Sequence, residues 1–248
     1  MGFRNPLREA SKFGMTRVKI MTVIPGILEK DWTEIERKIE SLKSFAKVIH
    51  IDIIDGKFAD NTTFLDPAPF VKYSEDIFFE VHMMVEDPIR YLKPFAEAGF
   101  KRFIGHIEKM PDQAEFVAQG QLLGEVGLAI DGPTPLDAIK VPYEDLDAIL
   151  IMTIKAGESG QEFNPEYLKK IEMLNQASPS QTWLSPDQHD TGGGLPIGVD
   201  GGINDHTIVD AKNAGATRFV TTSFLFNNQD SQKQFEMLNQ ALPDQHDN

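Results

Sequence analysis

Residues 48–53 read Val-Ile-His-Ile-Asp-Ile, a short β-branched run of the kind that forms a buried strand. Side chains alternate along a strand, so His50 and Asp52 project to one face while the isoleucines take the other. Burying an imidazole and a carboxylate is unfavourable unless the two groups pair with each other or bind a cation. The segment alone leaves two interpretations open, a closed His–Asp hydrogen bond or half of a metal site.

Seven further apolar runs alternate with longer segments of helical period, a pattern typical of βα units around a parallel sheet. The eight predicted strands cover residues 18–24, 48–53, 77–83, 102–106, 127–130, 148–153, 196–199 and 217–221. The predicted helices cover residues 31–45, 88–98, 113–123, 165–176, 207–214 and 235–242. In 248 residues this pattern favours an α/β fold of the closed (β/α)8 TIM-barrel type over an open doubly wound sheet. Periodicity alone does not decide closure.

The sequence predicts one domain with short additions. Residues 1–17 form an N-terminal extension, residues 18–242 the barrel, and residues 243–248 a C-terminal tail. The stretch 177–195 lacks apolar periodicity and contains prolines and three consecutive glycines, so we expect a surface insertion there. No apolar run reaches signal-peptide or membrane-spanning length, and we expect a soluble cytoplasmic protein.

The acidic balance of the chain restricts its partners. The formal net charge of −14 opposes extended contact with nucleic-acid phosphates or an anionic membrane, so neither partner is expected. A phosphorylated small molecule would instead need a local cradle of backbone N–H groups. The sequence contains no cysteine, so any metal site must use His and carboxylate ligands.

Two more polar residues end predicted strands. His82 closes the third strand, and Asp200 closes the seventh directly before two glycines. Alone, such a His is commonly a packed residue, and an Asp before glycine commonly belongs to a turn. Together with His50 and Asp52, however, they place two imidazoles and two carboxylates at the same end of three strands. That donor set suits Zn²⁺ or a similar divalent ion.

Five short motifs extend this picture. They are HIDIIDG at 50–56, VHMM at 81–84, DPIRY at 87–91, GESGQ at 157–161 and VDGGI at 199–203. Their type, order and spacing resemble the ribulose-phosphate 3-epimerase family, over about residues 19–226. The resemblance implies a barrel of the ribulose-phosphate-binding type and an isomerase of the pentose phosphate pathway in carbohydrate metabolism. It also makes a homo-oligomer an expectation to test.

The resemblance implies one divalent metal, zinc first with iron, manganese or cobalt as alternatives, held by His50, Asp52, His82 and Asp200. The metal would polarise the ketone and hydroxyl oxygens of a sugar phosphate as a Lewis acid. Asp52 and Asp200 would also act as acid and base, moving the proton at carbon 3 through a cis-enediolate. The expected reaction interconverts D-ribulose 5-phosphate and D-xylulose 5-phosphate.

A substrate-binding shell is implied as well. Met84 and Met152 match methionines that cap the carboxylates in the family. The residues that match its phosphate loops are Gly157, Ser159, Gly160, Gly201, Gly202, Thr222 and Ser223. Gly26 stands where the family has a serine that contacts a substrate hydroxyl, so we expect that contact to be lost.

The same shell departs from the family pattern. Lys155 and Ala156 replace Asn-Pro, Glu158 replaces an aromatic or small residue, and Thr222 replaces glycine. These changes do not affect the four predicted metal ligands, so the sequence indicates the type of reaction more clearly than the identity of the sugar substrate. Another ketose phosphate, such as allulose 6-phosphate, is an alternative substrate. A sugar-phosphate-binding barrel without turnover, and a lyase or decarboxylase on the same fold, are further alternatives.

Overall fold

The computed structural model describes residues 21–157, 160–177, 195–228 and 230–242. Its strands are β1 Thr22–Ile27, β2 Val48–Ile54, β3 Phe78–Met84, β4 Arg102–His106, β5 Glu125–Ile130, β6 Ala148–Met152, β7 Ile197–Asp200 and β8 Arg218–Thr221. Its α-helices are α1 Trp32–Leu42, α2 Ile89–Glu97, α3 Gln113–Gly120, α4 Lys169–Ala177, α5 Thr207–Ala214, α6 Ser223–Phe226 and α7 Ser231–Gln240. Short 3-10 helices lie at Ala68–Tyr73, Leu136–Ala138, Tyr143–Asp145 and Pro165–Leu168.

The eight strands close into a parallel barrel in chain order. Each strand pairs with its successor, and β8 pairs with β1 in a register that joins Arg218 to Thr22 and Thr221 to Pro25. The predicted (β/α)8 TIM barrel is therefore confirmed, including the closure that periodicity left undecided.

Some predicted boundaries shift. The first strand continues beyond its predicted end to Ile27, because Pro25 pairs with β8 and Gly26 pairs with β2. The predicted helix 165–176 begins as a 3-10 turn before α4. Residues 1–17, 178–194 and 243–248, which carry the predicted extension, nearly all of the insertion and the tail, lie outside the described residues.

Side-chain caps and aromatic packing explain the outer layer. Asp31, Asp112 and Asp230 accept hydrogen bonds of 3.0 to 3.1 Å from the backbone N–H three residues later, which begins α1, α3 and α7. The helices cover the outward side chains of the strands, where Phe70 meets Phe79 edge-on at 5.4 Å between ring centroids. This apolar shell holds the barrel closed around a more polar interior.

The barrel interior changes character along its axis. Near the N-terminal ends of the strands lie the buried side chains Glu80, Arg102 and Arg218. An apolar cluster comprises Ile24, Ile104, Ala129, Leu150 and Val220. Arg218 on β8 pairs with Glu80 on β3, a non-adjacent strand, and only the barrel interior can bring them together. The C-terminal ends of the strands carry the polar centre described next.

Candidate metal centre

Four polar side chains from three strands meet inside the barrel, level with the C-terminal end of β7. β2 supplies His50 and Asp52, β3 supplies His82, and β7 supplies Asp200. Parallel pairing places Asp52 opposite His82, and alternation along β2 keeps His50 on the same inner face. All four are buried, and one ligand atom of each lies within 4.8 Å of the others. The structure thus brings together the residues that the sequence singled out.

Asp52 is the hub of this centre. Its Oδ1 lies 3.2 Å from His50 Nε2 and 2.9 Å from His82 Nδ1. Asp200 comes from a strand that pairs with neither β2 nor β3, and its Oδ2 lies 3.6 Å from His82 Nδ1 and 4.0 Å from His50 Nε2. Each imidazole therefore turns one nitrogen toward both carboxylates. A closed His50–Asp52 pair does not describe this arrangement.

In the centre, neighbouring groups of opposite charge shift the pKa values of His50, Asp52 and His82 in the direction opposite to the effect of burial. Burial lowers the pKa of His50, yet Asp52 and Glu80 outweigh it and raise that pKa to about 10. Burial likewise acts to raise the pKa of Asp52, but His50 and His82 hold it far below its usual value. Against its burial, Asp200 and Asp52 raise the pKa of His82. The cluster thus stabilises positive charge between its carboxylates.

This donor set fits a divalent ion. Two imidazole nitrogens and two carboxylate oxygens are common ligands of zinc and of other first-row ions. A bound ion would supply the positive charge between the carboxylates, and His50 and His82 would bind it through deprotonated ring nitrogens. The four residues can therefore hold one metal ion.

A cavity opens at the centre. Asp52 and Asp200 line it, whereas His50 and His82 are fully buried and do not. The other lining residues are Leu28, Met84, Met152, Ile154, Gly157, Gly160, Gly201, Gly202, Ile203, Val220, Thr222 and Ser223. Every residue predicted for the substrate shell is in this set except Gly26 and Ser159. Ser159 lies outside the described residues.

The loops that follow β6 and β7 depend on glycine. Gly157, Gly160, Gly201 and Gly202 have φ angles between 68° and 112°, a region that favours glycine. A Cβ on Gly202 would lie 3.0 Å from the backbone nitrogen of Phe163, so the two loops pack closely. Close backbone approach of this kind is what an N–H cradle for a phosphate requires.

Gly26 does not line the cavity. A Cβ on Gly26 would lie 2.6 Å from Thr222 Oγ1 and 2.9 Å from Val220 Cγ1, so side chains that follow β8 or belong to it fill that space. Gly26 is therefore shielded, and Thr222 lines the cavity instead. The family's serine hydroxyl is absent at Gly26, and the hydroxyl of Thr222, directly after β8, lies next to that position.

Sequence reasoning missed a buried ion network behind His50. Glu80 Oε1 accepts a hydrogen bond from His50 Nδ1 at 2.7 Å. Its Oε2 pairs with Arg102 Nη1 at 2.7 Å and also with Arg218. Burial acts to raise the pKa of Glu80, but Arg218, His50 and Arg102 hold it well below its usual value. A signal was present, since Glu80 precedes His82 by two residues and must share its face.

A second His–carboxylate pair adjoins the centre. At the end of β4, His106 Nδ1 lies 2.6 Å from Glu108 Oε2. The His106 ring stacks on His82 at 4.9 Å between centroids, and Phe58 lies 4.8 Å from it. Among the described residues, Nε2 of His82 and Nε2 of His106 have no hydrogen-bond partner. This pair packs against a ring of the centre without joining the ligand set.

Comparison with known proteins agrees with the geometry. The profile of the Ribulose-phosphate 3 epimerase family matches residues 22–226. A ribulose-phosphate 3-epimerase of Schizosaccharomyces pombe (strain 972) is 31% identical over 216 residues, covering 84% of this chain and 87% of that protein. The Bacillus subtilis (strain 168) protein of the same name is 32% identical over 221 residues, covering 86% of this chain and 96% of that protein.

Solved structures share the fold at low sequence identity. KGPDC from Streptococcus mutans has a TM-score of 0.65 at 10% identity and covers 88% of this chain and 95% of its own. The 3-hexulose-6-phosphate synthase from Salmonella typhimurium has a TM-score of 0.62 at 14% identity, with coverages of 90% and 98%. These two support the barrel alone. The sequence matches go further, and by them the chain belongs to the ribulose-phosphate 3-epimerase family.

Proposed function

We propose that this chain is a metal-dependent epimerase that interconverts D-ribulose 5-phosphate and D-xylulose 5-phosphate. The observation that carries the proposal is the meeting of two carboxylates, Asp52 and Asp200, with two imidazoles at one cavity. A barrel that only binds a sugar phosphate has no need of two acids around a cation. Family membership supports the same reaction.

The chemistry requires two proton-transfer groups. Epimerisation beside a ketone removes a weakly acidic proton from carbon 3 and returns one to the opposite face, through a cis-enediolate. Asp52 and Asp200 come from different strands and both line the cavity, so one can act as base while the other acts as acid. His50 and His82 are fully buried and hold the centre. A divalent ion bound there supplies Lewis-acid polarisation of the substrate oxygens.

The rest of the cavity suits the two ends of the substrate. Met84 and Met152 line the same cavity as the carboxylates and offer adaptable apolar surface that excludes water from the reacting carbon. The proposed phosphate cradle comprises Gly157, Gly160, Gly201, Gly202, Thr222 and Ser223, with Ser159 as a prediction from the sequence. Local backbone N–H groups are needed because the chain as a whole, at −14, repels a phosphate.

The direct test follows hydrogen exchange at carbon 3. Purified protein is analysed for bound metal, stripped with a chelator, reloaded with zinc, iron, manganese or cobalt, and mixed with D-ribulose 5-phosphate in deuterated water. We expect deuterium at carbon 3 and D-xylulose 5-phosphate with the reloaded protein, and neither with the stripped protein. Full metal occupancy without exchange would contradict the proposal and favour a binding barrel.

A second candidate is the epimerase of another ketose phosphate, such as allulose 6-phosphate. The packing of Thr222 against Gly26 favours it. The cavity wall carries the hydroxyl of Thr222, whereas the family pattern has a serine hydroxyl at position 26. Comparison of kcat/KM for the two substrates decides between them. The single variant Gly26→Ser should lose activity through overlap with Thr222, and the double variant with Thr222→Gly should recover it.

Partners and location complete the proposal. A small sugar phosphate is the proposed ligand, and a nucleic-acid partner is not expected from the net charge of −14. Within the described ranges, no helix has the length and apolar character needed to cross a membrane. A cytoplasmic location and a homo-oligomer stay predictions, which cell fractionation and light scattering after gel filtration would check.

A further inference from the structure

We propose that Glu80 is the positioning residue of the metal centre, fixing the tautomer and the ring orientation of His50. This inference rests on the proposed metal site and adds a group that the sequence motifs did not identify. Glu80 and His50 are both fully buried, and Glu80 Oε1 lies 2.7 Å from His50 Nδ1. The opposite ring nitrogen, Nε2, faces Asp52 at 3.2 Å.

The hydrogen bond selects which nitrogen is free to bind metal. An ionised carboxylate only accepts hydrogen bonds, so the proton of a neutral His50 must reside on Nδ1 and be donated to Glu80. The lone pair of Nε2 is then directed toward Asp52 and Asp200. A carboxylate behind a metal-binding imidazole acts in this way in many metal sites, and it also raises the basicity of the ligand.

Two arginines keep Glu80 charged inside the barrel. Its second oxygen, Oε2, pairs with Arg102 and with Arg218, which reaches it from β8. A buried carboxylate without such partners would take up a proton and could then donate a hydrogen bond of its own. Glu80 therefore stays ionised, with Oε2 paired to the two arginines and Oε1 free to accept the hydrogen bond from His50.

The other imidazole of the centre is held differently. Among the described residues, no carboxylate lies behind His82, and its Nε2 has no hydrogen-bond partner. Its ring stacks instead on His106 at 4.9 Å. The influence of Glu80 is therefore confined to one ligand, His50, so its loss should weaken the centre without removing a ligand.

A purely structural role would be to neutralise the arginines, and Glu125 provides the matched control. Glu125 is also a largely buried carboxylate and pairs with Arg102 at 2.5 Å. Unlike Glu80, it forms no hydrogen bond with a residue of the metal centre within the described ranges. If charge balance were the whole role of Glu80, removing the charge of either glutamate would affect the metal centre alike.

The test compares Glu80→Gln with Glu125→Gln in metal-free protein. Zinc affinity is measured by competition with a chromophoric chelator, and the cobalt-loaded protein is compared by visible absorption. We expect Glu80→Gln to raise the zinc Kd by about 10–100-fold and to alter the cobalt spectrum. Glu125→Gln should leave both near wild type. An unchanged Kd in Glu80→Gln, or an equal rise in both variants, would overturn the assignment.

A further variant guards against misfolding. Glu80→Asp keeps the charge on the arginines but shortens the side chain, so it should fold while losing the contact to His50 and binding zinc more weakly. A wild-type affinity in Glu80→Asp would also count against the proposal. Because these readouts need no turnover, they separate the two ideas. Wild-type protein that binds zinc without exchanging hydrogen refutes the epimerase, and wild-type protein that binds no zinc refutes the centre itself.

Discussion

Two segments of the barrel carry nearly the same triplet and use it differently. His50-Ile51-Asp52 lies in β2, and His106-Ile107-Glu108 begins at the last residue of β4. On β2 the imidazole and the carboxylate share the metal centre with residues from β3 and β7. On β4 the imidazole is bound to its own neighbour, with Nδ1 2.6 Å from Glu108 Oε2.

The difference shows that surroundings, rather than the triplet, decide the chemistry. His50 Nδ1 is already engaged by Glu80, so Nε2 is left for the centre. His106 Nδ1 is engaged by Glu108, and no second carboxylate reaches the remaining nitrogen among the described residues. The β2 triplet can therefore bind a cation, whereas the β4 triplet forms a closed pair that supports His82 by stacking.

The largest expected difference comes from removing one carboxylate charge from the metal centre, at Asp200, and one from the His106 pair, at Glu108. Asp200→Asn should reduce hydrogen exchange at carbon 3 by about 10²–10⁴-fold, because it removes a proposed acid or base. Glu108→Gln should keep nearly the wild-type rate. Exchange is followed by NMR in deuterated water, with circular dichroism to verify folding. Equal losses in the two variants would place both pairs in the mechanism, and retained exchange in Asp200→Asn would remove Asp200 from it.

Metal affinity gives the next largest contrast. His82→Asn removes a proposed ligand and should raise the zinc Kd by more than the ~10–100-fold typical of groups that lie behind ligands. His106→Asn removes the ring that stacks on His82 and the hydrogen bond to Glu108, but no proposed ligand, and should have the smaller effect. Chelator competition on both variants checks the order. The reverse order would mean that His106, rather than His82, completes the ligand set.

Much of the fold was predictable because its signals are local. Each of the eight predicted strands overlaps a strand of the described residues, because each short apolar run is buried in a parallel sheet; residues 18–20 of the first lie outside the described ranges. The placement of His50 and His82 on inward-facing strand positions, and of Asp200 at a strand end, was also visible, and a parallel barrel brings such positions together. Order and alternation therefore indicated that these side chains would meet, and the family resemblance indicated that they would bind a metal ion.

Contacts that depend on barrel closure were not predictable. Arg218 meets Glu80 across 138 positions of sequence, and no local pattern links them. The packing of Thr222 over Gly26, which separates Gly26 from the cavity, likewise arises only when β8 pairs with β1. Glu80 itself was within reach, because it shares a strand face with His82. What could not be anticipated was the pair of arginines that makes a buried charge tolerable there.

The free energy of unfolding tests the role of the His106–Glu108 pair in stability. Glu108→Gln should lower the free energy of unfolding by about 1–3 kcal/mol, because it weakens a partly buried hydrogen bond to an ionised carboxylate. Glu108 also accepts a hydrogen bond from the backbone N–H of Asp131 at 2.7 Å, which ties β4 to the loop after β5. Urea titration of metal-free protein measures the change. The exposed Glu97→Gln is the control and should alter it little.

The smallest expected effect is the acid dependence of that same difference. Burial acts to raise the pKa of Glu108, but His106, the Thr134 hydroxyl and the N–H of Asp131 lower it to about 2, and Lys170 contributes positive charge nearby. A depressed pKa adds stability that is complete above the ordinary value of 4.5 and is lost as pH falls toward the folded value. The gap in unfolding free energy between wild type and Glu108→Gln should therefore narrow from about pH 6 to about pH 3. Both proteins are measured without metal, so that the acid sensitivity of the β2 centre cancels. A gap that widens on acidification would show that the β4 pair is not held by an ionised Glu108.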